Sequence, residues 1–264
     1  MSGTAASLIL DIDKSMISNI LTVENVAYYS VAIFIAAVIE FPGRAMFQII
    51  SPLVAKALND KDDLTLLQLL KKSANNLLLV SGLMFLLINL NLNDFYVWIN
   101  LGDYTVALEV VLIVSVGKLF TMSMGCLNNI ITNSKYYAYV FWFSISSAIL
   151  AVLLNLYLLK LYGIIGAAYA TLIVIVIINV LKILLVQFKF KINPYGWESL
   201  FTLGIIILLY LIISKISFEF DPFVSLLLRS MLITVAFALL AYFLKLTDDV
   251  QQFLGKILPF VKKS

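Results

Sequence analysis

The sequence predicts an all-α integral membrane protein, and three observations carry that reading. Of 264 residues, 62% are hydrophobic and only 12% charged, and the mean hydropathy is +1.05; that is more apolar surface than a soluble core of this size can hide. Apolar runs recur as far as residue 244, so they belong to the mature fold and are not a cleaved leader. The longest polar connection, KALNDKDDLTLLQLLKK at 56–72, is itself half helical in pattern, which leaves no room for a soluble domain.

A membrane-spanning helix needs about 20 mostly apolar residues, and seven runs qualify: 26–48, 74–92, 106–128, 138–159, 164–186, 197–214 and 223–244. An eighth is partial. AASLIL at 5–10 runs straight into DIDK, too short to cross alone, so the chain is expected to start inside a helix, as a truncated gene product or a fragment would. In the first full run, Pro42 removes a backbone hydrogen bond and Gly43 adds freedom, which predicts a kink; Pro52 follows in the same helix or at its end. The run 74–92 ends at the aromatic belt DFYVWIN (94–100). The run 106–128 is the most polar, with Ser115, Lys118, Thr121, Ser123, Asn128 and Asn129 inside or at its end and Thr132 and Asn133 just beyond. The next two runs meet at YGIIGAAYA, where Gly163, Gly166, Ala167 and Ala170 make a smooth face for close helix packing. The last two follow the aromatic NPYGW (193–197). In the tail, Val250, Phe253, Leu254, Ile257 and Leu258 recur at helical spacing; that pattern suits a helix on the inner membrane surface, the alternative being a solvated tail.

The loops are short, so lysines report orientation. The side holding 56–72 collects Lys56, Lys61, Lys71, Lys72, Lys135, Lys182, Lys189, Lys191, Lys245, Lys256, Lys262 and Lys263, against Lys160 and Lys215 on the other. Twelve against two makes the first side, and with it the carboxyl terminus, cytoplasmic.

Four basic residues, Lys14, Arg44, Lys118 and Arg229, fall within apolar runs. A charge at mid-bilayer costs at least about 2.5 kcal/mol, so each is expected to face a bundle interior, a partner or water. Glu40 and Arg44 stand four apart on one helical face and can pair across Pro42-Gly43. The two readings there are a structural ion pair at a kink, or an arginine presented to a polar cavity that Gln48 and Ser51 extend. Lys118 lies in a helix too polar to face lipid, which makes it cavity-lining or part of a packed hydrogen-bond seam. Asp13 and Lys14, being adjacent, point about 100° apart and look to other helices or to solvent. Arg229 is close enough to the outer end of its span to snorkel.

The chain has no histidine and a single cysteine, Cys126. The commonest general base and metal ligand are therefore missing, and neither a disulfide nor a thiolate metal site can form. With no phosphate-cradling glycine loop and no nucleic-acid signature, neither a cofactor, a metal nor nucleic acid is expected.

Four segments together carry a resemblance: SLILDIDKSMIS, VAYYSVAIFIAAVIEFPGRAMFQIISPLVAKAL, NNIITNSKYYAYVF and LYGIIGAAYATL. In this order and spacing the chain resembles the carboxyl-terminal half of bacterial polysaccharide (O-antigen-type) flippases of the multidrug/oligosaccharidyl-lipid/polysaccharide exporter superfamily. The resemblance implies a fold of two six-helix bundles around a cavity. Residues 1–192 would form the second bundle, with its first helix truncated, 193–246 an additional helix pair, and 247–264 the cytoplasmic tail. It also implies a bacterial inner-membrane flippase that moves undecaprenyl-diphosphate-linked oligosaccharide outward by alternating access, for lipopolysaccharide or other surface polysaccharide. Its partners would be membrane lipid, the lipid-linked glycan and the missing amino-terminal bundle. Carried onto this sequence, the cationic cavity candidates are Arg44, Lys118, Lys14 and Arg229; Asp13 and Glu40 would respond to protons or cations; and Gln48, Ser115, Thr121, Asn128 and Asn129 would add polar lining. The chain alone is expected to be inactive.

Two alternatives stay open. A cation-coupled multidrug exporter of the same superfamily is disfavoured by a basic cavity, which repels organic cations. A membrane polymerase or ligase would need an essential acid or arginine in an outer loop, where only Glu24, Asp94, Asp103, Glu219 and Asp221 offer carboxylates.

Overall fold

The computed structural model describes residues 12–216, 218, 220–244 and 246–247. Asp11, the partial run 5–10, Glu219, Lys245 and the expected surface helix of the tail lie outside the described residues. Those described are helical, with no strand among them: α1 (Ile12–Ile20), α2 (Val23–Ala37), α3 (Phe41–Asn59), α4 (Asp63–Trp98), α5 (Leu108–Ser123), α6 (Leu127–Asn133), α7 (Ala138–Phe190), α8 (Trp197–Ile213) and α9 (Pro222–Phe243). Among the described residues five helical segments are long and apolar enough to cross a membrane: Val23–Asn59, Asp63–Trp98, Gly102–Ser123, Ala138–Phe190 and Pro222–Phe243; α8 is a shorter apolar helix.

α2 and α3 run on as one rod through a 3-10 turn at Val38–Glu40, and Pro42 explains the turn. Proline cannot donate to the Val38 carbonyl four residues back; the chain tightens and Phe41 N–H donates to it instead. The next carbonyl, Ile39, accepts a hydrogen bond from Ser81 Oγ of α4 at 3.0 Å. Pro52 sits inside α3.

At 1.5 Å per residue a straight 53-residue α7 would reach about 80 Å. It does not run straight. Gly163 has φ 60° and ψ −140°, a conformation open to glycine and hostile to L side chains, and there the chain folds back. A Cβ on Gly166 would collide with the backbone of Leu158. Rings at the two ends of the helix, Tyr136 and Phe190, lie 5.7 Å apart. α7 is therefore a hairpin of two apposed arms, before and after Gly163, and the small residues after the turn allow the close approach.

Three buried clusters tie the helices together. Ile17, Tyr29, Val110, Val114, Leu159 and Ala167 join α1, α2, α5 and both arms of α7 near the Gly163 end. Ile50, Leu66, Leu70, Leu127, Ile130 and Val186 join α3, α4, α6 and α7 at the opposite end. α8 and α9 share a core with α4 through Leu78, Leu86, Ile206, Ile233 and Phe237, and Gly82 is where Ile206 packs onto α4 without room for a Cβ.

Candidate functional site

Two groups of polar side chains meet within the apolar bundle. The first forms around Asp13 on α1. Its carboxylate accepts hydrogen bonds from Asn155 Nδ2 at 2.6 Å, Thr171 Oγ1 at 3.0 Å and Tyr29 Oη at 3.1 Å. The Tyr29 and Thr171 hydroxyls are also 3.2 Å from each other. Asn155 and Thr171 stand eight residues either side of Gly163, so the hairpin brings both to one carboxylate. Asn155 Oδ1 is buried with no hydrogen-bond partner among the described residues. Asp13 was expected to look to another helix or to solvent; it looks to three helical segments. Lys14 is half-buried beside it.

The second group is Glu40 and Lys118. Lys118 Nζ lies 3.1 Å from Glu40 Oε2, with the two side chains 23% and 22% exposed. A Glu40–Arg44 pair, one of the two readings open for this stretch, is not made. Gly43 brings α3 against α5, where a Cβ would stand 2.7 Å from Met122 Sδ, and Lys118 is one turn before Met122 on that face. The local i,i+4 partner loses to a cation supplied by a neighbouring helix. Lys118, read as cavity-lining or part of a packed hydrogen-bond seam, makes an interhelical ion pair. Arg44 is exposed, its guanidinium 5.0 Å from the Phe41 ring centroid, with no carboxylate partner among the described residues.

Arg229 is held rather than snorkelling free. It meets Asp94 Oδ2 at 2.6 Å, the Leu90 carbonyl at 2.8 Å and the Ile216 carbonyl at 3.4 Å. It joins α9 to α4 and to the chain leaving α8, a structural clamp and not an open anion site; Asp94 is equally committed to it.

The expected polar lining divides. Thr121 accepts from Asn179 Nδ2 at 3.0 Å, and Ser123 Oγ is 3.0 Å from Tyr195 Oη, so both belong to interhelical seams. Ser115 is fully buried without a partner among the described residues. Gln48 and Asn128 are exposed, and Asn129 is half-buried. Asn133 Nδ2 donates to Ser51 Oγ at 3.2 Å, so the polar edges of α3 and α6 adjoin. Two cavities, of about 630 Å³ and 320 Å³, lie against α8 and between α2, α4 and α9; neither is lined by Lys14, Arg44, Lys118 or Arg229.

Tyr29, Asn155, Thr171 and Asn179 were not singled out from the sequence. Asn155 and Asn179 are each a lone amide in an apolar run and Thr171 a lone threonine, an isolation that marks them; Tyr29, between Tyr28 and Ser30, carries no such signal. No family model, curated protein or solved structure matches the chain.

Proposed function

We propose that this chain is the carboxyl-terminal portion of a transporter that flips undecaprenyl-diphosphate-linked oligosaccharide across the bacterial inner membrane. The observation that carries the reading is Arg44: an arginine exposed midway along the apolar rod Val23–Asn59, without a carboxylate partner among the described residues. A guanidinium in hydrocarbon needs an anion or water beside it, and a diphosphate offers it a charge-assisted, two-pronged hydrogen bond. Gln48 and the joined polar edges at Ser51 and Asn133 extend the same face. Two of the four candidates are engaged, Arg229 by Asp94 and Lys118 by Glu40, so Arg44 is the exposed candidate best placed to attract a diphosphate, and Lys118 can do so only by exchanging its partner.

In this reading the α7 hairpin supplies two crossings and α8, about 26 Å long, supplies another. That makes seven full spans besides α1, with the lysine-rich end and the carboxyl terminus cytoplasmic. The face of Arg44 would be completed by a second bundle. Asp13 is the coupling candidate, because carboxylate, hydroxyl and amide oxygens can hold either a proton or a small hard cation. The chain itself performs no bond chemistry in this scheme. Asp94, one of the few outer acids a polymerase or ligase would need, is tied to Arg229.

The test is Arg44→Glu in the full-length protein, followed by lipid-linked glycan reaching the outer leaflet of sealed vesicles. Transport should be abolished at unchanged protein level, while the charge-swapped Glu40→Lys/Lys118→Glu double variant keeps the fold. Undiminished transport by Arg44→Glu would refute the reading.

A further inference from the structure

We infer that the larger cavity is a binding groove for one acyl chain of a membrane phospholipid. The inference stands apart from the transport proposal, since it depends on neither Arg44 nor a sugar substrate. The groove, about 630 Å³, is bounded by Val116, Leu119 and Phe120 of α5 and by Trp197, Leu200 and Leu203 of α8. From Ser123 to Val116, and from Gly196 to Leu203, each wall advances seven residues, or about 10 Å along its helix.

Three features select the occupant. First, the walls are hydrocarbon and open outward, with Val116 44%, Leu200 59% and Trp197 75% exposed. An apolar space of this kind does not hold ordered water, and the solvent around apolar spans is lipid chain. Second, the polarity runs one way. The Ser123 and Tyr195 hydroxyls, 3.0 Å apart, lie at one end, and Ser199 there donates to Asn75 Oδ1 at 2.6 Å; Leu203 and Val116 lie at the other. Trp197 at the polar end is the residue type that settles at headgroup level. A molecule with a polar head and one long apolar tail matches that gradient, and a second helix does not. Third, exposed lysines stand close in sequence to residues at the polar end. Lys71 is exposed one turn from Asn75, and Lys191 is exposed four residues before Tyr195, against one exposed acid, Glu198. A lipid phosphate at this end meets more positive than negative charge.

The experiment uses the purified full chain in bilayer discs containing phosphatidylglycerol with a photoactivatable diazirine in its acyl chain. After irradiation, adducts are mapped by peptide mass spectrometry. They should concentrate on Val116, Leu119, Phe120 and Leu203. Leu203→Trp, which fills the groove, should remove them severalfold while leaving adducts on the lipid-exposed stretch 141–149 of α7 unchanged. Val116→Phe serves as the filling variant if Leu203→Trp lowers the unfolding midpoint. Adducts no denser in the groove than on 141–149, or indifferent to filling, would overturn the inference. So would displacement of the label by unlabelled polyprenyl phosphate but not by excess phosphatidylglycerol, because the groove would then belong to isoprenoid chains.

Discussion

Lys118 and Glu40 sit 78 positions apart, and no local rule links them. The pattern rule that was available, a carboxylate and a cation four apart, pointed Glu40 to Arg44. It failed for a physical reason: Pro42 forces a tighter turn just before α3, and Gly43 admits α5 closely enough for Lys118 to reach Glu40. A pair this sheltered holds each charge in place for the other. Lys118→Met should therefore lower stability by roughly 1–3 kcal/mol, because it leaves a half-buried carboxylate without its partner. Adding Glu40→Gln should recover most of the loss, as coupled sites do in a double-mutant cycle. Unfolding in mixed micelles measures both, and a double variant as unstable as Lys118→Met would rule the pairing out as the cause. Asp62, outside the apolar runs, makes a different kind of contact. It caps α4 by accepting from Thr65 N–H at 2.9 Å and from the Thr65 hydroxyl at 2.6 Å. The Thr65 side-chain and backbone hydrogen bonds hold the Asp62 carboxyl below its ordinary 3.8. A lowered folded-state value means that the stabilisation is complete above the unfolded value and is lost as pH falls below about 3.8 through the lower folded one. Protection of the amides at 63–66, their exchange corrected for its own pH dependence, should fall over that window in wild type, and Asp62→Ala should show the lower protection already at pH 7. A wild-type first turn indifferent to pH would mean that the cap does not hold it.

Among the elements, α7 best separates what hydropathy conveys from what it does not. Two apolar runs of bilayer length on either side of residue 163 were readable, because lipid forces every spanning backbone to bury its own hydrogen bonds in a helix. The turn itself was partly readable: the small residues announced close packing, but the φ and ψ of Gly163 depend on how the arms dock. The polar contacts those arms make with Asp13 were not readable, since single polar residues in three apolar segments give no register for who meets whom. Gly163 and Gly204 form a matched pair for testing the turn, because neither has a neighbour within 4 Å of a built Cβ, yet only Gly163 has positive φ. Gly163→Ala should destabilise by about 1–3 kcal/mol through backbone strain alone. Gly204→Ala, within helix α8, should be neutral or gain roughly 0.5–1 kcal/mol. Equal unfolding midpoints for the two variants would mean that the hairpin does not rest on the conformation of Gly163.

For the whole molecule, the arrangement of helix ends carries the strongest consequence. The turns at 60–62, 134–137 and 191–196 gather at one end of the bundle, where the two ends of α7 meet and Lys189 Nζ stands 5.5 Å from the Tyr136 ring centroid. The segments 99–107, 214–216 and 220–221 and the Gly163 turn gather at the other, where the rings of Trp98 and Phe223 lie 5.0 Å apart. The lysine census splits the loops the same way, although it uses charge and knows nothing of packing. If the bundle crosses the membrane along this axis, single cysteines at exposed Asp60, Tyr137 and Lys191 should share one behaviour toward an impermeant maleimide on intact cells, and Asp103, Tyr162 and Ser214 the opposite one. The native Cys126 is fully buried and gives an unlabelled background. The positive-inside rule adds the sign: the second set should label on intact cells and the first only after permeabilisation. Tyr162 is the decisive position, because it lies only 25 residues after Tyr137 and reaches the far side only if α7 is a hairpin. Labelling of Tyr162 together with Tyr137 and Lys191 would mean that α7 does not cross the membrane as two arms, and the shared site of Asp13, Asn155 and Thr171 would then lose its place within the bilayer.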